Sequence, residues 1–249
     1  MEANRVRQII AEGGAVINGW LHIPSSWSAE IMARAGWDSV TVDLQHGFHD
    51  VTGVLTMIQA IHAAGVVPLA RTNWREPGMA MKLLDAGALG VICPMIESRS
   101  QCEAFVGACR FPPQGYRSLG PTRAKPVYGD EYAEAANRET LAIAMIETVA
   151  GLEAVDEIVG VDGLSGIFIG GGDLRLSLAV NGAGGELEAA IEGILAACAK
   201  AGIWAGLFTT DPDEARRRIA QGFRFLTVKT DGQLLAEHAR SVVKRVREG

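Results

Sequence analysis

Eight short apolar runs punctuate the chain: Ala15–Ile23, Ser39–Gln45, Val66–Thr72, Leu89–Ile96, Leu141–Thr148, Leu164–Gly170, Trp204–Thr209 and Phe223–Thr230. Between most of them lie longer segments whose apolar residues recur every three or four positions. Runs of that length, largely apolar, suit strands buried on both faces of a parallel sheet, and the longer spacing suits amphipathic helices. The clearest helical segments are residues 28–36, with Ser28 as N-cap and Gly36 as stop, residues 54–65 and residues 186–202. Helices end in Ala-Gly at Gly36, Gly65, Gly87 and Gly202, and a strand follows at once. Eight such units in 249 residues predict an α/β fold, a (β/α)8 TIM barrel, with residues 1–249 as a single domain. An open doubly wound sheet is the alternative, but no G-x-G-x-x-G follows the first run, which argues against a dinucleotide site.

Composition narrows the function. A formal net charge of −6 lacks the basic face that nucleic-acid binding needs. The basic runs, Arg216 to Arg218 and Lys244/Arg245/Arg247, fall in helical segments and read as solvated faces. Cys93, Cys102, Cys109 and Cys198 form no metal-binding spacing, and Cys93 lies inside an apolar run as a core residue, so a reducing, cytoplasmic compartment is expected. The N-terminal M-E-A-N-R-V-R has no signal-peptide pattern and no apolar run reaches membrane-spanning length, so no membrane association is expected. One segment breaks the rhythm. Residues 111–138 hold four prolines and three glycines and predict an extended loop, with Arg117, Arg123 and Lys125 suiting an anion or a subunit interface.

In a barrel the chemistry gathers where strands end. The second run ends in Asp43-Leu44-Gln45-His46, the third in Arg71, the fifth in Glu147, and the sixth passes through three glycines to Asp173. Asp173 on its own reads equally as a helix cap. Two carboxylates from neighbouring strands, however, suit a hard divalent cation, Mg²⁺, Mn²⁺ or Co²⁺, that keeps further sites for water and substrate. Arg71 suits a substrate carboxylate, whose geometry the guanidinium fork matches. His46 suits proton transfer, with Asp43 to orient it or to hold a metal-bound water. His46 and His49 lack the third ligand of a zinc site. Lys229 is the lysine placed for an imine mechanism, and the carboxylate pair favours metal chemistry over it. His22, His62 and His238 have no partner visible in the sequence, and His62 and His238 read as helix-surface residues.

The ordered set V-D-L-Q-H (42–46), P-L-A-R (68–71), K-L-L-D-A-G-A (82–88), P-M-I-E (94–97), F-P-P-Q-G-Y-R (111–117), A-M-I-E-T (144–148) and G-I-F-I-G-G-G-D-L (166–174) resembles the HpcH/HpaI aldolase family, from about Arg5 to the C-terminus. The resemblance implies a metal-dependent (class II) aldolase that reversibly cleaves 4-hydroxy-2-oxoacids into pyruvate, or hydroxypyruvate, and an aldehyde. It implies that Glu147 and Asp173 ligate the metal, that Arg71 binds the pyruvyl end, and that His46, Asp43 and Asp85 manage protons. It places Trp20 near the substrate and Arg123 in a loop over the site or at a subunit boundary. It also implies a homohexamer, a trimer of dimers that exchanges its last helix. Where the family usually reads G-P-A-D-L-S, this chain reads G-G-G-D-L-R, so the substrate-carboxylate cradle at Gly171 and Gly172 is expected to be looser or shaped for hydroxypyruvate. The rival readings are an acyl-CoA lyase of the citramalyl- or malyl-CoA type, which would need more basic surface, and a non-catalytic oxoacid-binding barrel.

Overall fold

The computed structural model describes residues 3–182 and 184–248. Eight parallel strands close in sequence order into a barrel. They are β1 (Val16–Leu21), β2 (Ser39–Asp43), β3 (Val67–Arg71), β4 (Gly90–Cys93), β5 (Leu141–Ile146), β6 (Gly166–Ile169), β7 (Trp204–Thr209) and β8 (Phe225–Val228). The helices are α1 (Arg5–Ala11), α2 (Ser26–Ala33), α3 (Val51–Ala63), α4 (Pro77–Asp85), α5 (Arg99–Ala108), α6 (Ala124–Tyr128), α7 (Tyr132–Glu139), α8 (Val149–Glu153), α9 (Val155–Val159), α10 (Gly171–Val180), α11 (Leu187–Ala201), α12 (Pro212–Gln221) and α13 (Asp231–Glu248). Each predicted run contains a strand; β7 matches its run and the others are shorter, because the run ends turn out of the ladder. All these strands but β1, β7 and β8 are buried at every residue, as expected of a sheet covered on both faces.

The local rules hold with small shifts. Helix α2 is capped by Ser25, whose hydroxyl accepts from the Ser28 backbone at 3.2 Å; Ser28 is therefore inside the first turn and is not the predicted N-cap. Asp50 caps α3 through Gly53. Gly65 and Gly202 end their helices at φ 77° and 71°, where a Cβ would be strained.

Alternation along the strands sorts side chains into two cores. Outward residues such as Val40, Val42, Ala70, Val91, Ile167 and Leu226 pack under the helices. Inward residues Val16, Trp20, Leu69, Ile143, Met145, Phe168 and Phe225 fill the barrel, with Trp20 stacked on Phe168 at 5.5 Å. Helix α1 closes the lower end, its Val6 and Ile9 joining the interior. Asn4 ties it down by donating to Leu89 O and Glu139 O. The upper end, where the strands finish, stays open. Among the described residues no helix is long and apolar enough to cross a membrane.

Residues 111–138 are less loop-like than their composition predicts, since α6 and α7 occupy much of the segment. Tyr132 and Ala136 form a small apolar cluster with Phe111 and Ala124. Arg117 lies buried within it, 4.4 Å over the Phe111 ring and 2.7 Å from Asp85 Oδ1. That is a core anchor, away from any ligand space.

Candidate active site

Strand register brings three side chains to one level at the top of the barrel. Leu21 pairs with Val42, so the next residues, His22 and Asp43, stand side by side, and Asp43 pairs with Arg71. Asp43 is wholly buried, and each of its oxygens takes three hydrogen bonds. Oδ1 accepts from Arg71 Nε (2.8 Å), Gln45 N (2.9 Å) and His46 N (3.4 Å). Oδ2 accepts from Arg71 Nη2 (2.6 Å), His22 Nε2 (2.7 Å) and Trp20 Nε1 (3.1 Å). Burial pushes the Asp43 carboxyl up, but the hydrogen bond from His22 and those from Arg71 with its charge outweigh it and hold the group well below the usual range. A carboxylate so occupied is a fixed anchor, with no lone pair left for a metal-bound water.

The same contacts alter two expectations. Arg71 spends its fork on Asp43, bidentate, and its guanidinium lies 4.9 Å over the Trp20 ring. Only Nη1, 3.8 Å from Met145 Sδ, remains for a ligand. The imidazole on Asp43 belongs to His22, which no sequence pattern marked. His46 gives Asp43 its backbone N–H, and its own ring makes no hydrogen bond among the described residues.

Glu147 leaves β5 just opposite Gly170 after β6, because Ile146 and Ile169 are paired. It is 1% exposed, and its Oε2 accepts from Met95 N at 2.8 Å. Met95 has a left-handed φ of 57°, which aims that N–H inward at a backbone cost. Burial pushes the Glu147 carboxyl up to about 7; the Met95 bond and the Arg71 charge oppose this, and the Asp173 and Asp43 charges add to it. A Cβ on Gly170 would stand 2.4 Å from Glu147 Oε1, so glycine is required there. Gly171 and Gly172 differ, since a Cβ on either meets nothing. Asp173 lies exposed in the first turn of α10; Gly170 holds the cap position, so Asp173 is not the N-cap.

These groups surround one cavity of about 520 Å³ at the strand ends, lined by Trp20, His22, His46, Arg71, Glu147, Gly170, Gly171, Gly172 and Asp173. Met145, Phe168 and Leu207 give it an apolar floor. Arg175, Glu188, Glu214 and Arg218 form its rim, with Arg218 Nη2 2.8 Å from Glu188 Oε2. Arg218 was grouped with a solvated basic run; its inward turn is visible only once α11 and α12 are neighbours.

Two expected site residues are elsewhere. Asp85 ends α4 and Arg123 Nη1 donates to Ala86 O at 2.6 Å, both at the lower end where helices return to begin the next strand. Neither lines the cavity of its own chain, because a residue at the C-terminal end of α4 is a helix length away from the strand tops. His49 Nε2 lies 3.3 Å from Leu21 O, and burial lowers its basicity. Lys229 pairs with Glu237. Among the described residues no cluster of three or more His, Cys, Asp or Glu is placed to hold a metal, which leaves the Glu147–Asp173 pair. The four cysteines are buried and free, with burial lifting Cys93 to about 12.

The chain as a whole is similar to known proteins. The family model described as HpcH/HpaI aldolase/citrate lyase matches residues 19–238. A hydroxypyruvate/pyruvate aldolase of Rhizorhabdus wittichii is 38% identical over 248 residues, 98% of this chain and 99% of that protein. A 4-hydroxy-2-oxo-heptane-1,7-dioate aldolase of Klebsiella pneumoniae is 33% identical over 250 residues, 97% of this chain and 93% of that one. Among solved structures, a HpcH/HpaI aldolase/citrate lyase family protein of Burkholderia cenocepacia superposes with a TM-score of 0.91 at 31% identity, covering 98% of this chain and 100% of that one.

Proposed function

The chain belongs to the HpcH/HpaI aldolase/citrate lyase family, and from that premise we propose that it is a metal-dependent aldolase that reversibly cleaves 4-hydroxy-2-oxoacids into pyruvate, or hydroxypyruvate, and an aldehyde. The observation that carries the proposal is Glu147, a carboxyl buried to 1% exposure and lifted to about 7 beside a second acid, Asp173, in one cavity. Proteins rarely bury an acid without a partner, and Glu147 Oε1 accepts no hydrogen bond among the described residues.

The donor set fits a divalent cation such as Mg²⁺, Mn²⁺ or Co²⁺. Glu147 and Asp173 would hold it, two carboxylates being what Mg²⁺ commonly takes from protein. When bound, such a cation supplies Lewis acidity toward the oxygens of a 2-oxoacid.

The chain's own residues account for the rest of the reaction. The Asp43 lock fixes Arg71 so that Nη1 meets the oxygen where enolate charge develops, an interaction that needs no reorganisation. The N–H groups of Gly172 and Asp173, at the start of α10 and without intrahelical partners, suit the substrate carboxylate. Trp20, Phe168 and Leu207 exclude water from the donor end. The Arg175/Arg218/Glu188/Glu214 rim meets the aldehyde, and its mixed charge suits a polar acceptor. We place the enzyme in the cytoplasm, in keeping with its four free buried cysteines, and read it as a homo-oligomer, a hexamer by family resemblance.

The test is a matrix of pyruvate and hydroxypyruvate against a panel of aldehydes, run with each of the three metals. Metal-dependent aldol formation is expected with at least one donor, and Glu147→Gln and Asp173→Asn should each lose it. Wild-type rates in both variants would remove the carboxylates from the reaction.

A further inference from the structure

We propose that Arg75 is a positioning residue: it holds Met95 in the backbone conformation whose N–H orients Glu147 toward a divalent cation, an inference that rests on the metal-dependent reading above. Arg75 lies in the connection between β3 and α4, and Met95 in the one between β4 and α5. Nη1 of Arg75 stands 2.7 Å from Met95 O, 2.9 Å from Glu97 Oε2 and 2.9 Å from Gln101 Oε1, sharing its hydrogens among the three. At the other end of the same residue, Met95 N donates to Glu147 Oε2 at 2.8 Å.

Met95 needs such a hold. Its φ of 57° lies in the left-handed region, where Cβ crowds the carbonyl oxygen, and a residue stays there only when its surroundings over-determine it. Relaxation to a negative φ would swing the N–H away from Glu147 and the carbonyl away from Arg75. A guanidinium on that carbonyl opposes the relaxation with a charge-assisted bond, stronger than a neutral donor would make. With Oε2 taken by Met95, Oε1 is the Glu147 oxygen left toward Gly170 and the cavity.

Arg75 is itself braced. Its side chain and that of Glu97 are 25% and 30% exposed, so their ion pair is partly shielded from water. Glu97 uses its other oxygen to accept from Thr148 Oγ1 at 3.0 Å, and Thr148 is the residue after Glu147. Gln101 Oε1 also accepts from Glu97 N at 2.8 Å, and Gln101 is set in the first turn of α5, where its own N–H donates to Ser98 Oγ at 3.3 Å. The network grips Glu147 twice, at the carboxylate through Met95 and at the backbone through Thr148. Arg75, Glu97 and Gln101 do not line the cavity, so their effect on a cation passes through Glu147. Hydrogen bonds that orient a metal ligand from outside commonly carry about ten- to a hundredfold in metal affinity.

Calorimetric titration of the metal-free protein with Mn²⁺ tests this. Arg75→Met is expected to weaken Mn²⁺ binding about tenfold. Met95→Gly separates positioning from general support of the fold, because glycine takes a left-handed φ freely. In that background Arg75→Met should cost less than about threefold. Affinity in Arg75→Met within about twofold of wild type would overturn the proposal. So would an undiminished loss in the glycine background, which would mark Arg75 as a structural residue. Should Arg75→Met not fold, Arg75→Gln, whose amide ends short of the Nη1 position, is read by the same comparisons. A wild-type protein that binds no Mn²⁺ would overturn the proposal together with the metal site. One that binds Mn²⁺ yet cleaves no 4-hydroxy-2-oxoacid would remove the aldolase reading alone.

Discussion

A carboxyl buried beside other carboxylates keeps its proton longer than one in water, and Glu147 is in that position. In protein stripped of metal, the folded state holds this proton up to about pH 7, whereas the unfolded chain loses it near 4.5. Between those values the folded state binds more protons, so stability falls as pH rises across the window, by roughly 3 kcal/mol from this group. Urea unfolding on either side of the window should show that fall in the chelated wild type, and Glu147→Gln should flatten it. Equal slopes in the two proteins would mean that Glu147 is not held protonated. At this scale much of the site was legible: Asp43, His46, Arg71, Glu147 and Asp173 all stand at or just past the end of an apolar run, and all but Asp43, which holds Arg71 from behind, line one cavity. His22 was not, because its only mark is a partner one strand away, and pairing between strands leaves no local pattern. Asp85 and Arg123 show the reverse case, since neither lines the cavity of its own chain. Resemblance carried their roles, but it carries no information about which end of its own barrel a residue occupies.

The turn from β6 into α10 shows how backbone decides an element's chemistry. Three consecutive glycines looked equivalent in sequence, yet only Gly170 faces a neighbour, Glu147 Oε1 at 2.4 Å from an added Cβ. Gly170→Ala should displace Glu147, cost on the order of 1–3 kcal/mol and weaken metal binding measured by calorimetry. Gly171→Ala, with nothing to strike, should match or slightly exceed wild-type stability, since alanine favours a helix. Equal behaviour of the two variants would contradict the steric assignment. The 111–138 segment teaches a second lesson. Proline and glycine content predicts irregular chain, but Phe111 and Tyr132 supply an apolar cluster on which α6 and α7 fold, and Arg117 is its buried pin. Arg117→Met removes the partner of Asp85, and thermal unfolding should register a loss of about 2 kcal/mol or more. An unchanged midpoint would show that the pair contributes nothing.

For the molecule as a whole, the strand–helix rhythm carried the architecture because each parallel strand must be covered on both faces, and eight covered strands close. Assembly is less visible, since one chain cannot show what its exposed faces meet. Helix α13 carries Leu235 at 64% and Val246 at 78% exposure, with Val242 and Val243 between them, an apolar stripe on an otherwise charged helix. Apolar surface of this kind marks an association face. Sedimentation is expected to give a species several times the 26.4 kDa chain, and Leu235→Asp with Val246→Asp should shift it to smaller species; a monomer in the wild type would refute the assembly. The two carboxylates at the barrel mouth remain the centre of the proposed chemistry, and they act only by holding a divalent cation. Pyruvate release from a 4-hydroxy-2-oxoacid, followed before and after exhaustive chelation, therefore bears on it most directly. Release should stop in the chelated protein and return when Mg²⁺, Mn²⁺ or Co²⁺ is added back; undiminished release after chelation would contradict it.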